Sequence, residues 1–288
     1  MAYKHLFLLV LMFFILNMKA QQNIYKHRVG SFAIYLLSER QGEGNTNILI
    51  DATDEMLKKC IPEGKFSNAM NCFFLETGDE TFLFDTGMGI NLFDNLKSLR
   101  RTADEINGIF ITHMHGDHFG GLLKNGEKCF KNVKLYIPKA EYDYWMSDEP
   151  KNAEMAQKVL KIYNDNLVLF EPGTFEKPFE PIKGIKCIAI YGHTPGHTGY
   201  LVESQENKIF IWGDLTHAMA IQMPYPQVAV TYDVDTKMAI EIRQSVLKYL
   251  EANRIPIAGM HVSFPGMGYI IKNDNQGFDF NPIDDNSK

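Results

Sequence analysis

The chain has 288 residues, 45% of them apolar and 22% charged, with 29 Lys and Arg against 35 Asp and Glu for a net charge of −6. That acidic balance, without a basic block, excludes a surface built to hold a polyphosphate backbone, so no nucleic-acid partner is expected. Length and apolar content suffice for a full core, and no Pro/Gly/Ser-rich linker divides it, so one large domain is expected.

The first stretch, "MAYKHLFLLVLMFFILNMKA", has a short basic start, an apolar core from Leu6 to Leu16 and a run ending at Ala20. This is the pattern of a secretory signal, and its core is shorter than the roughly 18 to 20 residues a membrane-spanning helix needs. Residues 1–20 are therefore expected to be removed, leaving residues 21–288 as an exported domain, periplasmic or secreted and without membrane attachment. Removal takes away Lys4 and Lys19, which leaves 27 basic against 35 acidic residues, about −8.

Apolar runs bounded by turn residues then recur and read as strands: "SFAIYLL", "NCFFLET", "TFLFDTG", "GIFITH", "VKLYIP", "GIKCIAIYGH", "GYLVES", "KIFIWGD" and "IPIAGMH". "TGDE" and "SQENK" read as hairpin turns, which makes their flanking strands antiparallel neighbours. Helical periodicity lies around 91–100, 139–147, 150–163 and most clearly 236–252, where Ala239, Ile242, Val246 and Leu250 share a face and Asp235 is placed to cap. Two sheets with helices on their outer faces satisfy this order, because each sheet then buries one face on the other and one under helices. The tail "NPIDDNSK" is polar and expected to be loosely held. Cys60, Cys72, Cys129 and Cys187 have long irregular spacings with no CxxC, which argues against a zinc ribbon; Cys187, in an alternating strand, reads as a buried free thiol.

In "ITHMHGDHFGGL" three of the nine histidines and an aspartate fall within six positions at the end of an apolar strand. At strand spacing His113 and His115 point the same way and meet one ion, while Gly116 lets Asp117 and His118 swing back towards a second. Imidazole plus carboxylate is the ligand mix for zinc, or for manganese, iron or cobalt. Three further donors follow strands: His193, Asp214 and His261. Donors at one loop-bearing edge of a packed scaffold can converge. There is no GxSxG from which to propose a serine nucleophile.

With "THMHGDH", "GHTPGH", "GD" after an apolar strand and a terminal His in order, the chain resembles the metallo-β-lactamase superfamily. More narrowly, "YGHTPGHTGYLVES", "AGMHVSFPGMG", "DYWMS" and "NCFFLETG" are similar to the branch of methyl parathion hydrolases and quorum-quenching lactonases. The resemblance implies an α/β fold, the four-layer αββα sandwich, and two metal ions, two Zn2+ with Mn2+, Fe2+ or Co2+ as alternatives. It implies that His113, His115 and His193 hold one ion, that Asp117, His118 and His261 hold the other, and that Asp214 bridges them. His197 and Asp85 are implied as hydrogen-bonding supports behind the ligands. Tyr144 and Trp145 match an aromatic pair that implies a pocket wall, though they also fit the buried face of a helix. His217 can face the cleft or be an ordinary loop histidine.

The function so implied is hydrolysis by a metal-bridging hydroxide, with Asp117 or Asp214 carrying the proton to the leaving group. The expected partner is a small neutral ester-type substrate, a lactone or phosphotriester, in a pocket made apolar by Tyr144, Trp145, Met219 and Met223. A second copy of the chain, as a homodimer, stays open. The alternatives are a β-lactamase or thioesterase-type hydrolase, a mononuclear iron persulfide dioxygenase, and a non-catalytic metal-binding relative.

Overall fold

The computed structural model describes residues 23–274 and 277–283; the expected signal segment lies outside them. The first seven-stranded sheet runs β1 (Ile24–Val29), β2 (Phe32–Asn45), β3 (Lys65–Glu76), β4 (Thr81–Phe84), β5 (Gly108–Phe110), β6 (Lys134–Pro138) and β7 (Leu167–Phe170). The second, also seven-stranded, runs β8 (Phe179–Ile182), β9 (Ile185–Ala189), β10 (Thr198–Ser204), β11 (Asn207–Ile211), β12 (Ile257–Ala258), β13 (Met267–Lys272) and β14 (Phe278–Pro282). In both sheets, spatial order follows chain order.

Alternation explains how the layers pack. On β2, Ile34 and Leu36 enter the core between the sheets with Phe73, Phe84, Tyr200 and Ile211. Tyr35 and Leu37 point the other way, into a second core with Leu96, Trp145 and Val159. These last three come from helices α1 (Leu92–Ser98), α2 (Lys139–Met146) and α3 (Glu154–Ile162). Helix α4 (Thr236–Ala252) covers the second sheet, placing Val246, Leu247 and Leu250 on Phe210 and Trp212. Helix, sheet, sheet and helix thus make the four-layer αββα sandwich that the sequence pattern called for.

Connection type sets strand direction. The turn at 77–80 joins β3 and β4 antiparallel. The β10–β11 hairpin turns through Gln205 and Glu206, both at positive φ, which suits the twist of a two-residue loop. Four pairs separated by longer connections are parallel: β4 with β5, β5 with β6, β6 with β7, and β11 with β12; β2 and β3 stay antiparallel across residues 46–64. Helix α4 starts where its sequence specifies, because the Asp235 carboxylate accepts the Met238 N–H at 2.9 Å.

Two sequence expectations change. The strand leading to His113 stops at Phe110, so the ligand segment is irregular rather than extended. After His261 the chain makes a further hairpin, in which Asn281 and Pro282 of the supposedly loose tail pair with Tyr269 and Gly268. Glycines in "FPGMGY" mask the strand period there. All four cysteines are free, with Cys72 and Cys187 buried. Among the described residues no helix is long and apolar enough to cross a membrane.

The two sheets are tied at their ligand-bearing end by the Tyr200 hydroxyl, fully buried, which donates to the Ile111 carbonyl at 2.5 Å. Tyr200→Phe keeps the ring but removes the partner of that carbonyl. It should lower stability by about 1–3 kcal/mol, read as a lower urea midpoint with unchanged slope.

Candidate metal centre

The chain delivers each donor just past a strand end: His113, His115, Asp117 and His118 after β5, His193 after β9, Asp214 after β11 and His261 after β12. Because these strand ends share one edge of the sandwich, residues from 113 to 261 meet in one place. The ligating atoms of His113, His115, His193 and Asp214 lie within 4.8 Å of one another, and so do those of Asp117, His118 and His261. Asp214, His217 and His261 form a third such group.

Asp214 is at the centre, 2% exposed. Its carboxylate oxygens lie 3.1 Å from His118 Nε2, 3.4 Å from His193 Nε2, 3.6 Å from His113 Nε2, and 3.0 and 3.1 Å from Nε2 of His217 and His261. Gly213 precedes it with φ +55°, and a Cβ there would lie 2.4 Å from His197 Nε2. His197 in turn accepts the Asp214 N–H at 3.1 Å, so it orients the central carboxylate's backbone.

Outer partners decide which ring nitrogen faces inward. His118 Nδ1 donates to Asp85 Oδ2 at 2.7 Å, His193 Nδ1 to Asp233 Oδ1 at 2.8 Å, and His261 Nδ1 to the Ala69 carbonyl at 2.8 Å. With those protons spent outward, each Nε2 presents a lone pair to the centre. His115 differs in using Nδ1, which lies 3.0 Å from both His113 Nε2 and His193 Nε2. Tetrahedral ligands at about 2.0–2.1 Å from a zinc ion sit about 3.3 Å apart, close to this spacing.

Charge gives the same reading. His118 Nε2 and Asp214 Oδ1 are buried acceptors that face each other at 3.1 Å, and neither has a hydrogen-bond partner. A cation between them resolves that conflict, so the donor set fits divalent ions. Without one, the site relies on protons. Burial opposes charge on His118, His193 and His261, yet Asp214 and its neighbours carry all three above the usual histidine value, His193 to about 9. Burial together with neighbouring imidazoles pulls His113 well below that value, His115 to about 3 and, against the pull of Asp214, His217 to about 4. Burial raises Asp214 and Asp117, but His118 and His261 outweigh it and hold both below the usual carboxylate value.

The centre opens into a cleft of about 490 Å³. Its floor is His115, Asp117, Asp214, His217 and His261, and its walls include Arg40, Asn45, Asn47, Asn68, Ile48 and Tyr232. The lining is therefore mixed, polar side chains beside apolar surface, and none of the four residues expected to make the pocket apolar is part of it. Tyr144 and Trp145 do not line it: Trp145 is 7% exposed, packs in the core and sets its ring edge-on to His115 with centroids 5.7 Å apart. Tyr144 packs on the same core, Met223 is buried under the second sheet, and Met219 lies outside this cleft. Asp85 has φ +58° and holds Thr112 as well as His118, so it shapes a turn and supports a ligand together. Sequence reading did not find Asp233 or Glu141, whose partners are distant in the chain, and it left His217 undecided.

A family model described as Metallo-beta-lactamase superfamily matches residues 69–258. An N-acyl homoserine lactonase from Bacillus cereus is 25% identical over 166 residues, which cover 49% of this chain and 60% of that one. N-acyl homoserine lactonase AiiA from Bacillus thuringiensis subsp. kurstaki is 24% identical over 178 residues, covering 52% and 65%. The match thus spans less than two thirds of these relatives. Among solved structures, the hydrolase AbOPH in beta lactamase superfamily has a TM-score of 0.82 at 26% identity, over 91% of this chain and 98% of that one. AidC, a dizinc quorum-quenching lactonase, shares the fold at a TM-score of 0.82 and 23% identity, over 91% and 98%.

Asp233 bonds His193 and is itself held by the Val230 N–H at 3.2 Å, with buried Arg243 at 3.6 Å. Asp233→Asn keeps the shape and removes the charge behind His193. It should lower zinc affinity about 10- to 100-fold, measured by competition with a chromophoric chelator.

Proposed function

The chain belongs to the metallo-beta-lactamase superfamily, and on that premise we propose that it is an exported hydrolase that uses two divalent ions, zinc foremost, to cleave a neutral ester-type bond, a lactone before a phosphotriester. One observation carries the reading: His115 of one donor group and Asp117 and His261 of the other meet on the floor of a single cleft, together with Asp214. A structural zinc site closes four ligands around one ion and needs no cleft. Here His113, His115 and His193 would hold one ion, Asp117, His118 and His261 the other, and Asp214 both. A pair so held supplies Lewis acidity and lowers the pKa of water into the neutral range.

The chain's own residues divide the remaining work. Asp214 is enclosed by imidazoles and serves as an anchor. Asp117, with its side chain 29% exposed and within 3.5 Å of His261 Nε2, keeps a face to the cleft and is placed to carry a proton to a leaving group. His217, its Nε2 on Asp214 and its ring stacked on His261 with centroids 4.9 Å apart, completes the floor of the cleft. The asparagines at 45, 47 and 68 suit a substrate with amide or carbonyl groups beyond the scissile bond. The lactonases among the curated relatives support the lactone, and the acidic chain offers no general attraction to anions. Export rests on the N-terminal pattern alone.

A substrate panel tests this. Values of kcat/KM for lactones, with or without an amide side chain, should exceed those for matched β-lactams and phosphodiesters by at least about tenfold, a margin worth about 1.4 kcal/mol. Dialysis against a chelator should abolish the activity, and two equivalents of zinc should restore it. A preference for a β-lactam or phosphodiester would overturn the substrate class, and activity that survives chelation would overturn the metal reading.

A further inference from the structure

Glu141 sits in the first turn of α2, wholly buried, and no Lys, Arg or His among the described residues forms an ion pair with it. Its Oε1 accepts the Met114 N–H at 2.8 Å and the Trp145 indole N–H at 2.6 Å. Its Oε2 accepts the Thr194 hydroxyl at 2.7 Å and the Gly196 N–H at 3.0 Å. All four acceptor positions of the carboxylate therefore face donors, and no acceptor is left for a carboxyl proton. Burial pushes its pKa up and the donors oppose this.

The placement of those donors gives Glu141 its meaning. Met114 lies between His113 and His115, while Thr194 and Gly196 lie between His193 and His197. One carboxylate thus joins the two loops that bring three imidazoles together. The second loop packs directly on α2, since a Cβ at Gly196 would lie 2.2 Å from the Glu141 nitrogen. Trp145, held by the same Oε1, backs His115. His118 and His261, by contrast, are oriented by Asp85 and the Ala69 carbonyl, which Glu141 does not touch.

We infer that Glu141 is a positioning residue that sets the register of the His113–His115 loop against the His193 loop and so governs one of the two metal positions and not the other. The inference rests on the two-ion reading above. Glu141 reaches no substrate and acts through the ligands.

Glu141→Gln tests it, because the amide must turn a donor towards one loop: towards the Gly196 N–H in one orientation, towards the Met114 N–H in the other. Zinc binding is measured against a competing chelator, and cobalt(II) loading is followed by visible absorption. The expected result is one zinc equivalent weakened about 10- to 100-fold with the second unchanged, and an altered spectrum for the weakened cobalt site. Two equivalents bound as in the wild type, with only a lower Tm, would overturn the inference. Should Glu141→Gln fail to fold, Thr194→Val removes one donor of the same clamp at constant shape and must weaken the same equivalent, or the inference fails. A wild type that binds a single equivalent would overturn the two-ion reading, and the clamp is then judged by whether Glu141→Gln weakens that equivalent.

Discussion

A carboxylate buried at 2% exposure among five imidazoles constrains everything around it. An isolated ion of this kind is expensive to bury, so the surroundings of Asp214 must supply positive charge or proton donors, and they must do so from fixed directions. The fold meets this by ending four strands on one edge. Gly213 lets the chain bend at φ +55° so that Asp214 enters the middle of the group, and His197 takes its amide proton. No side chain at 213 fits without displacing that histidine.

A second tier keeps the imidazoles from turning. Asp85, from the end of β4, holds His118, while Asp233, from the loop before α4, holds His193. A main-chain carbonyl on β3 holds His261. Each support comes from a different element: two from neighbouring strands of the first sheet and one from the segment before α4. The precision of the centre is thus spread over the whole sandwich. Arg243 illustrates the depth of this arrangement: it is 1% exposed, donates to the Leu215, Pro226 and Val228 carbonyls, and lies 3.6 Å from Asp233.

The fold was legible because its strands alternate and its turns are short, and the seven donors stood out because histidine is scarce in the chain and follows apolar strands. What stayed hidden is of a different kind. Glu141 and Asp233 look like surface acids in sequence, since nothing local shows that α2 and the segment before α4 are pressed against ligand loops more than 25 residues away. Trp145 stayed open between pocket wall and core because the pattern around it fits either, and only the packing of α2 on the first sheet decides. The polar wall from Arg40 to Asn47 was missed because β2 runs on past the core, where an exposed stretch has no hydrophobic period to read.

The donors also differ in which sheet they come from. His113, His115, Asp117 and His118 extend from the first sheet, and His193, Asp214 and His261 from the second. The His113, His115, His193 and Asp214 group and the Asp117, His118 and His261 group therefore each take members from both. An ion held by Asp117, His118 and His261 would be a cross-link between residues up to 144 positions apart in the chain, closing a loop that no cysteine pair closes. Its contribution to folding follows mass action: a free ion at about 100 times its dissociation constant adds about 2.7 kcal/mol, and depletion removes it. With the proposed ions bound, the seam between the sheets would make the stability of the folded chain a function of the free metal around it.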